Sequence, residues 1–199
     1  MNLANKITLV RIVLVPIFML FLTPIPDWMI SKNALLHTIN HYGLVIATII
    51  FIIAAITDKL DGYIARKYNE VTKFGCLVDP LADKLMVVSA LFFLVQQNKV
   101  AGWIALVIII RELAVTALRV TAAYNKKVLA ADKYGKIKLV SQVTAIPLCL
   151  LNNYPISLVT HFPLDSVMML FAVLITVFSG IKYFIRNKEV FYECGKFSI

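Results

Sequence analysis

Charge is scarce in this sequence. Only 16% of its 199 residues are Asp, Glu, Lys or Arg, and eleven of those are acidic. Hydrophobic residues make up 60%, against roughly 45–50% in soluble domains, and the mean hydropathy is +0.83. A soluble globular protein is excluded on these grounds, and the chain reads as an integral membrane protein of one domain, residues 1–199. Cysteine is also rare. Cys76, Cys149 and Cys194 are scattered, without the paired spacing of a thiolate metal site, and read as unpaired thiols. Three histidines, His37, His41 and His161, fall in expected outer connections and give no set of zinc ligands. Internal repeats and low-complexity tracts are missing. The opening segment has a short basic start, but Arg11 and Pro16 interrupt its apolar run and no small-residue cleavage site follows, so it is kept as mature structure.

What is present is a series of apolar runs. A span needs about 20 apolar residues, and six candidates follow one another: Ile7–Thr23, Tyr42–Thr57, Val78–Gln97, Ala101–Ala123, Ile137–Leu151 and Ser166–Phe184. The second is expected to continue as helix to Tyr68, and the fifth is short. The expected fold is therefore an all-α integral membrane protein with six transmembrane helices. The net charge of +9 would suggest nucleic acid in a soluble protein, but here the basic residues flank the spans. Connections after spans one, three and five carry only Lys32 and Lys99. The other connections and the two ends carry Lys6, Arg66, Lys67, Lys73, Lys126, Lys127, Lys133, Lys136, Lys182, Arg186, Lys188 and Lys196. The positive-inside rule then puts both termini in the cytoplasm, together with the 58–83 stretch and the 124–138 loop. Trp28, Tyr42, Trp103, Tyr154 and Tyr183 lie near expected span ends, as interfacial aromatics do. The basic C-terminal segment from Lys182 to Lys196 reads as a membrane-surface anchor.

Four of the eleven acidic residues, Asp58, Asp61, Asp79 and Asp83, are gathered between the second and third spans. On helices, Asp58 and Asp61 share a face at i,i+3, and Asp79 and Asp83 share one at i,i+4. Two such faces turned toward each other form a cage of carboxylate oxygens. Uncompensated, those charges would repel by several kcal/mol, and divalent cations remove the penalty. Oxygen-only donors favour the hard ions Mg²⁺ or Mn²⁺. Gly62 and Gly75 lie on or beside the acidic faces, where the lack of a side chain leaves room for a ligand. The rival from another class is a divalent-cation channel or transporter. It would need acidic residues at mid-membrane and would be opposed by a neighbouring arginine, whereas these aspartates lie at one membrane face beside Arg66.

A second group of charges interrupts the fourth span. Arg111 and Arg119 cost a few kcal/mol at least in hydrocarbon unless they face a cavity or a partner, and Glu112 is the expected partner of one of them. Eight residues apart, they differ by about 80° in azimuth and can line one side of a pocket. Lys136 and Lys138 open the fifth span. These four cations suit a dianionic phosphate better than a neutral polyol.

The pattern Asp58-x2-Asp61-Gly62-x2-Ala65-Arg66-x8-Gly75-x3-Asp79-x3-Asp83 fixes eight positions in 26 residues. It resembles, without a substitution, the signature of the CDP-alcohol phosphatidyltransferase family. The resemblance implies attack by an alcohol hydroxyl on the β-phosphorus of a CDP-linked lipid, with CMP leaving and with two divalent ions assisting. It implies that Asp58, Asp61, Asp79 and Asp83 are metal ligands and that Asp83 is also the base. Gly62, Arg66 and Thr72 would hold the cytidine diphosphate of CDP-diacylglycerol, with Gly75 beside them. Arg111-Glu112-x6-Arg119, with Gly135-Lys136-Ile137-Lys138 and Gln142, is similar to the branch whose acceptor is sn-glycerol 3-phosphate. On that likeness Arg111, Arg119, Lys136 and Lys138 bind the acceptor, while Asn5 and Thr8, of Asn5-x2-Thr8-x2-Arg11, lie near the nucleotide. Ala4, Asp132 and Leu139 depart from that branch, which usually has Pro, Ser and Thr there. Other family acceptors, namely inositol phosphate, serine or phosphatidylglycerol, are the nearest alternatives. The resemblance also implies a homodimer in a bacterial cytoplasmic (inner) membrane, with the active site facing the cytoplasm.

Overall fold

Each apolar run folds as one helix. The structure, a computed structural model, describes residues 3–24, 34–68, 73–124, 133–154, 156–158 and 162–188; within these, side chains are described for all but 3–8, 34–36, 38, 58–68, 73–83 and 123–124. The helices are α1 Leu3–Leu22, α2 Ala34–Tyr68, α3 Lys73–Gln96, α4 Gly102–Tyr124, α5 Lys133–Leu150 and α6 Leu164–Arg186, with a short 3₁₀ turn at Ile156–Leu158 between the last two. Among the described residues there is no strand. Helix α2 runs on to Tyr68, as the sequence suggests, but it begins at Ala34. His37 and His41 therefore lie in its opening turns rather than in a connection, and His41 stacks edge-on against Tyr42. His161 and Trp28 are outside the described residues.

Two segments, Ile39–Thr57 in α2 and Leu164–Arg186, are long and apolar enough to cross a bilayer. Helices α4 and α5 each carry three charged side chains, which lowers their apparent hydropathy. Yet α4 also presents Leu106, Ile110, Leu113 and Val120 outward, each more than half exposed, and α1, α3 and α6 expose Leu20, Phe92 and Ile185 likewise. So much exposed apolar side chain on every side suits contact with lipid tails rather than water. Trp103 and Tyr154 lie exposed near helix ends, in keeping with an interfacial role.

The main core lies among α1, α2, α3, α5 and the N-terminal halves of α4 and α6, where Phe18, Phe51, Leu91, Leu94, Ile108, Ile146 and Leu150 are almost wholly buried. Small residues, Ala47, Ala54, Ala90, Ala145 and Ala172, let the helix axes approach. Helices α1 and α2 approach closely where a Cβ on Gly43 would stand 2.6 Å from the carbonyl oxygen of Phe21. Only glycine fits against that backbone atom. A smaller cluster of Val115, Leu118, Ala122 and Tyr183 joins α4 to α6 nearer their C-terminal ends.

Side-chain contacts set the relative directions. Gln142 donates to Thr176 Oγ1 at 3.0 Å, Tyr134 meets Phe178 edge-on, and the Cys149 thiol donates to the Asp165 carbonyl, so α5 and α6 are antiparallel. Lys99, just past α3, donates to the Leu150 carbonyl at the end of α5 at 3.3 Å, so α3 and α5 run the same way. That lysine sits at a helix C-terminus, where a cation is favoured. Burial pushes its pKa down from the ordinary lysine value, and the nearby Cys149 and Asp165 oppose the shift. Asn98, Asn152 and Asn153 take left-handed backbone conformations in the turns after α3 and α5, and the Asn153 amide donates to the Phe162 carbonyl at 2.7 Å. The consequence for function is at the opposite end. The start of α3, the start of α5 and the ends of α4 and α6 meet there, and the end of α2 joins them through a connection of only four residues, 69–72.

Gly43→Ala is expected to destabilise the fold by roughly 1–3 kcal/mol, because the clash is with backbone and relief needs a helix to move. A lower midpoint of thermal unfolding in detergent checks it, and an unchanged midpoint refutes the close approach.

Candidate active site

The aspartate stretch is divided between the end of α2 and the start of α3. The helical backbone of α2 carries Asp58, Asp61, Gly62 and Arg66 through its last turns, and that of α3 carries Gly75, Asp79 and Asp83 through its first. The spacings i,i+3 and i,i+4 thus hold on real helices. The donor set is all carboxylate oxygen, which fits a hard divalent cation. Asn5 and Thr8 lie on α1, which packs against both α2 and α3. The side chains of these residues, and Thr72 entirely, are outside the described residues, and so is any ligand geometry among them.

The cation group is described in full. Arg111 is clasped from two sides: its Nη1 donates to Glu112 Oε1 at 3.4 Å and its Nη2 to Ser179 Oγ at 2.8 Å. Its Nε is buried and donates to nothing among the described residues. The side chain reaches α6 by crossing Gly180, where a Cβ would stand 3.0 Å from Arg111 Cγ. Lys138, on α5 and nearly buried, donates to the same Glu112 Oε1. Glu112 is thus partner to two cations, one more than the sequence suggests. Arg119 is exposed; its Nε donates to the Tyr183 hydroxyl at 3.2 Å, and its guanidinium carbon lies 5.5 Å from the centre of that ring. Arg111 and Arg119 are close enough for their charges to repel, and so are Lys138 and Lys84, the residue that follows Asp83. The cation group therefore adjoins the aspartate end of α3.

Lys136 stands apart. It is exposed, and two residues from Lys138 places it about 200° around α5. It makes no contact with Glu112, Ser179 or Tyr183 among the described residues. Tyr183 corrects an expectation in turn: rather than an interfacial aromatic, it is 2% exposed and faces α4. A further pair sits at the edge, where the Lys182 ammonium lies 4.0 Å from the centre of the Tyr134 ring.

The residues that sequence reasoning passes over are Thr176, Ser179, Gly180 and Tyr183. They fall at i, i+3, i+4 and i+7, one buried stripe on an otherwise lipid-facing α6. Polar and small residues at that spacing in a span are the signal that could have found them.

A helical bundle with aspartates on two consecutive helices and a guanidinium and ammonium cluster at one end defines a class of membrane enzyme that handles phosphate esters. The family model for CDP-alcohol phosphatidyltransferases matches residues 1–178, and the chain belongs to that family. It is 46% identical over 189 residues to the CDP-diacylglycerol–glycerol-3-phosphate 3-phosphatidyltransferase of Bacillus subtilis (strain 168), covering 94% of this chain and 96% of the relative. It is 39% identical to a probable phosphatidylglycerophosphate synthase of Mycobacterium tuberculosis, over 93% of this chain and 81% of the relative. A CDP-diacylglycerol–glycerol-3-phosphate 3-phosphatidyltransferase of Haemophilus influenzae is 34% identical, over 92% and 91%.

Glu112→Gln leaves Lys138 and Arg111 buried without their counter-charge and is expected to cost about 3–5 kcal/mol of stability. Lys138→Met in the same chain should recover much of it. Unfolding in detergent checks both, and a double variant no more stable than Glu112→Gln alone would sink the pairing.

Proposed function

We propose that the chain transfers the phosphatidyl group of CDP-diacylglycerol to sn-glycerol 3-phosphate, giving phosphatidylglycerophosphate and CMP. The observation that carries this reading is the gathering of Arg111, Arg119 and Lys138 beside the aspartate end of the bundle. Such a cluster suits an acceptor that brings its own phosphate. The names of the relatives in Bacillus subtilis and Haemophilus influenzae support the same donor and acceptor.

In this reading all six helices span the bilayer with both termini in the cytoplasm. The aspartate stretch then faces the cytoplasm, in agreement with the distribution of lysine and arginine. Asp58, Asp61, Asp79 and Asp83 would hold the divalent ions, and Mg²⁺ or Mn²⁺ held there would supply positive charge for the pyrophosphate and for the oxygens of an in-line displacement. Gly62 and Gly75 leave room for the cytidine diphosphate, Arg66 adds a fork of donors to its phosphates, and Asn5, Thr8 and Thr72 border the nucleotide. Asp83 takes the proton of the glycerol hydroxyl as its oxygen bonds to the β-phosphorus and the bond to CMP breaks. Arg119 and Arg111 grip the acceptor's phosphate, Lys138 contributes through the charge it shares with Glu112, and Lys136 meets the phosphate from the watery side. A homodimer is the assembly the family resemblance favours.

The direct test is CMP release by purified protein in detergent with CDP-diacylglycerol, a divalent ion and one acceptor at a time. Glycerol 3-phosphate is expected to support turnover, and release with inositol phosphate or serine in its place would overturn the acceptor. Asp79→Asn and Asp83→Asn should each abolish turnover while the protein still unfolds cooperatively. Arg119→Ala should raise the acceptor KM with that for CDP-diacylglycerol almost unchanged.

A further inference from the structure

Helices α4 and α6 run parallel, and their pairing has an uneven stride. Arg111 and Arg119 are eight residues apart, about 12 Å along α4, but the groups that hold them, Ser179 and Tyr183, are four apart, about 6 Å along α6. The two arginine side chains are thereby drawn toward each other. Gly180 permits the crossing of Arg111, and the buried Tyr183 supplies both a hydroxyl for Arg119 Nε and a ring beneath the guanidinium. With Nε engaged, the plane of the Arg119 guanidinium is set. Its two Nη groups donate to nothing among the described residues, and that edge of the fork matches two oxygens of a phosphate.

We propose that Tyr183, assisted by Ser179, is a positioning residue that makes Arg119 and Arg111 into a single clamp for the acceptor's phosphate. The inference rests on the acceptor reading given above and adds to it the element that sets specificity, the polar stripe of α6. Tyr183 does not touch the reacting atoms; it acts through Arg119.

The test is a double-mutant cycle read as KM for each substrate. Tyr183→Phe keeps the ring and removes the hydroxyl, and thermal unfolding verifies that it folds. It is expected to raise the KM for glycerol 3-phosphate roughly tenfold, the size of effect a hydrogen bond to a charged group has, with the KM for CDP-diacylglycerol unmoved. Ser179→Ala should shift the same constant in the same direction. In an Arg119→Ala background, Tyr183→Phe should add almost nothing, because its effect runs through the missing guanidinium. An equal rise for both substrates, no rise at all, or a full additional effect in the Arg119→Ala background would overturn the clamp. The wild type judges the acceptor reading separately. If it turns over another phosphorylated acceptor instead, the same cycle run on that acceptor still decides the role of Tyr183. If none is turned over, calorimetric binding of glycerol 3-phosphate replaces KM, and equal affinity in wild type and Tyr183→Phe overturns the proposal.

Discussion

One carboxylate, that of Glu112, holds the charged half of the molecule together. It receives Lys138 from α5 and Arg111 from its own helix, and Arg111 in turn engages Ser179 on α6. In a bundle whose outer surface is apolar, none of these cations could be buried alone without a cost of several kcal/mol. The shared anion lets two helices, α4 and α5, bring positive charge inside the protein, and α6 supplies neutral partners. It also leaves the group net positive, since one carboxylate faces two cations and Arg119 stands beside them with a neutral partner.

The bundle divides its labour accordingly. Helices α2 and α3 carry the aspartates, α4 and α5 contribute the cations, and α6 contributes the hydroxyls that hold the arginines. Helix α5 packs against α2, α3 and α6 and so lies between the two groups. Its own polar contacts are graded along its length: an ion pair at Lys138, a neutral amide to hydroxyl bond at Gln142, and apolar packing at Ala145 and Ile146. Polarity thus declines from the start of α5 toward the turn after it, where the asparagines and Lys99 restore it.

Much of this was legible in the residues. Apolar runs gave six helices within a few residues of their observed ends, except at the start of α2, where polar residues from Ala34 to His41 hid a helical extension. The aspartate pattern pointed to the class of enzyme through its likeness to the family signature, and the family is the one to which the chain belongs. Arg111 and Arg119 were visible because charge in a span is costly unless it faces a cavity or a partner. Tyr183 was misread because an aromatic near a span end usually sits in the interface, and only packing against α4 shows that it points inward. Ser179 and Gly180 were missed because small residues in a span carry no energetic alarm of their own. Lys138 was read as one of several cations free for a ligand, and the fold gives it a resident partner, Glu112, that lies 26 positions away in the chain.

Helix α2 also serves as a depth gauge. Its apolar segment, Ile39–Thr57, has 19 residues and stops one position before Asp58, and at 1.5 Å per residue it measures about 28 Å, close to the thickness of the hydrocarbon layer. The helix then continues to Tyr68 without a break. In the proposed reading its length brings the acidic residues to the plane where the phosphates of a bilayer lipid already lie. A lipid substrate can present its headgroup there while its tails remain in the layer they came from. Extraction of the acyl chains into water, at about 0.8 kcal/mol for each methylene, never has to occur.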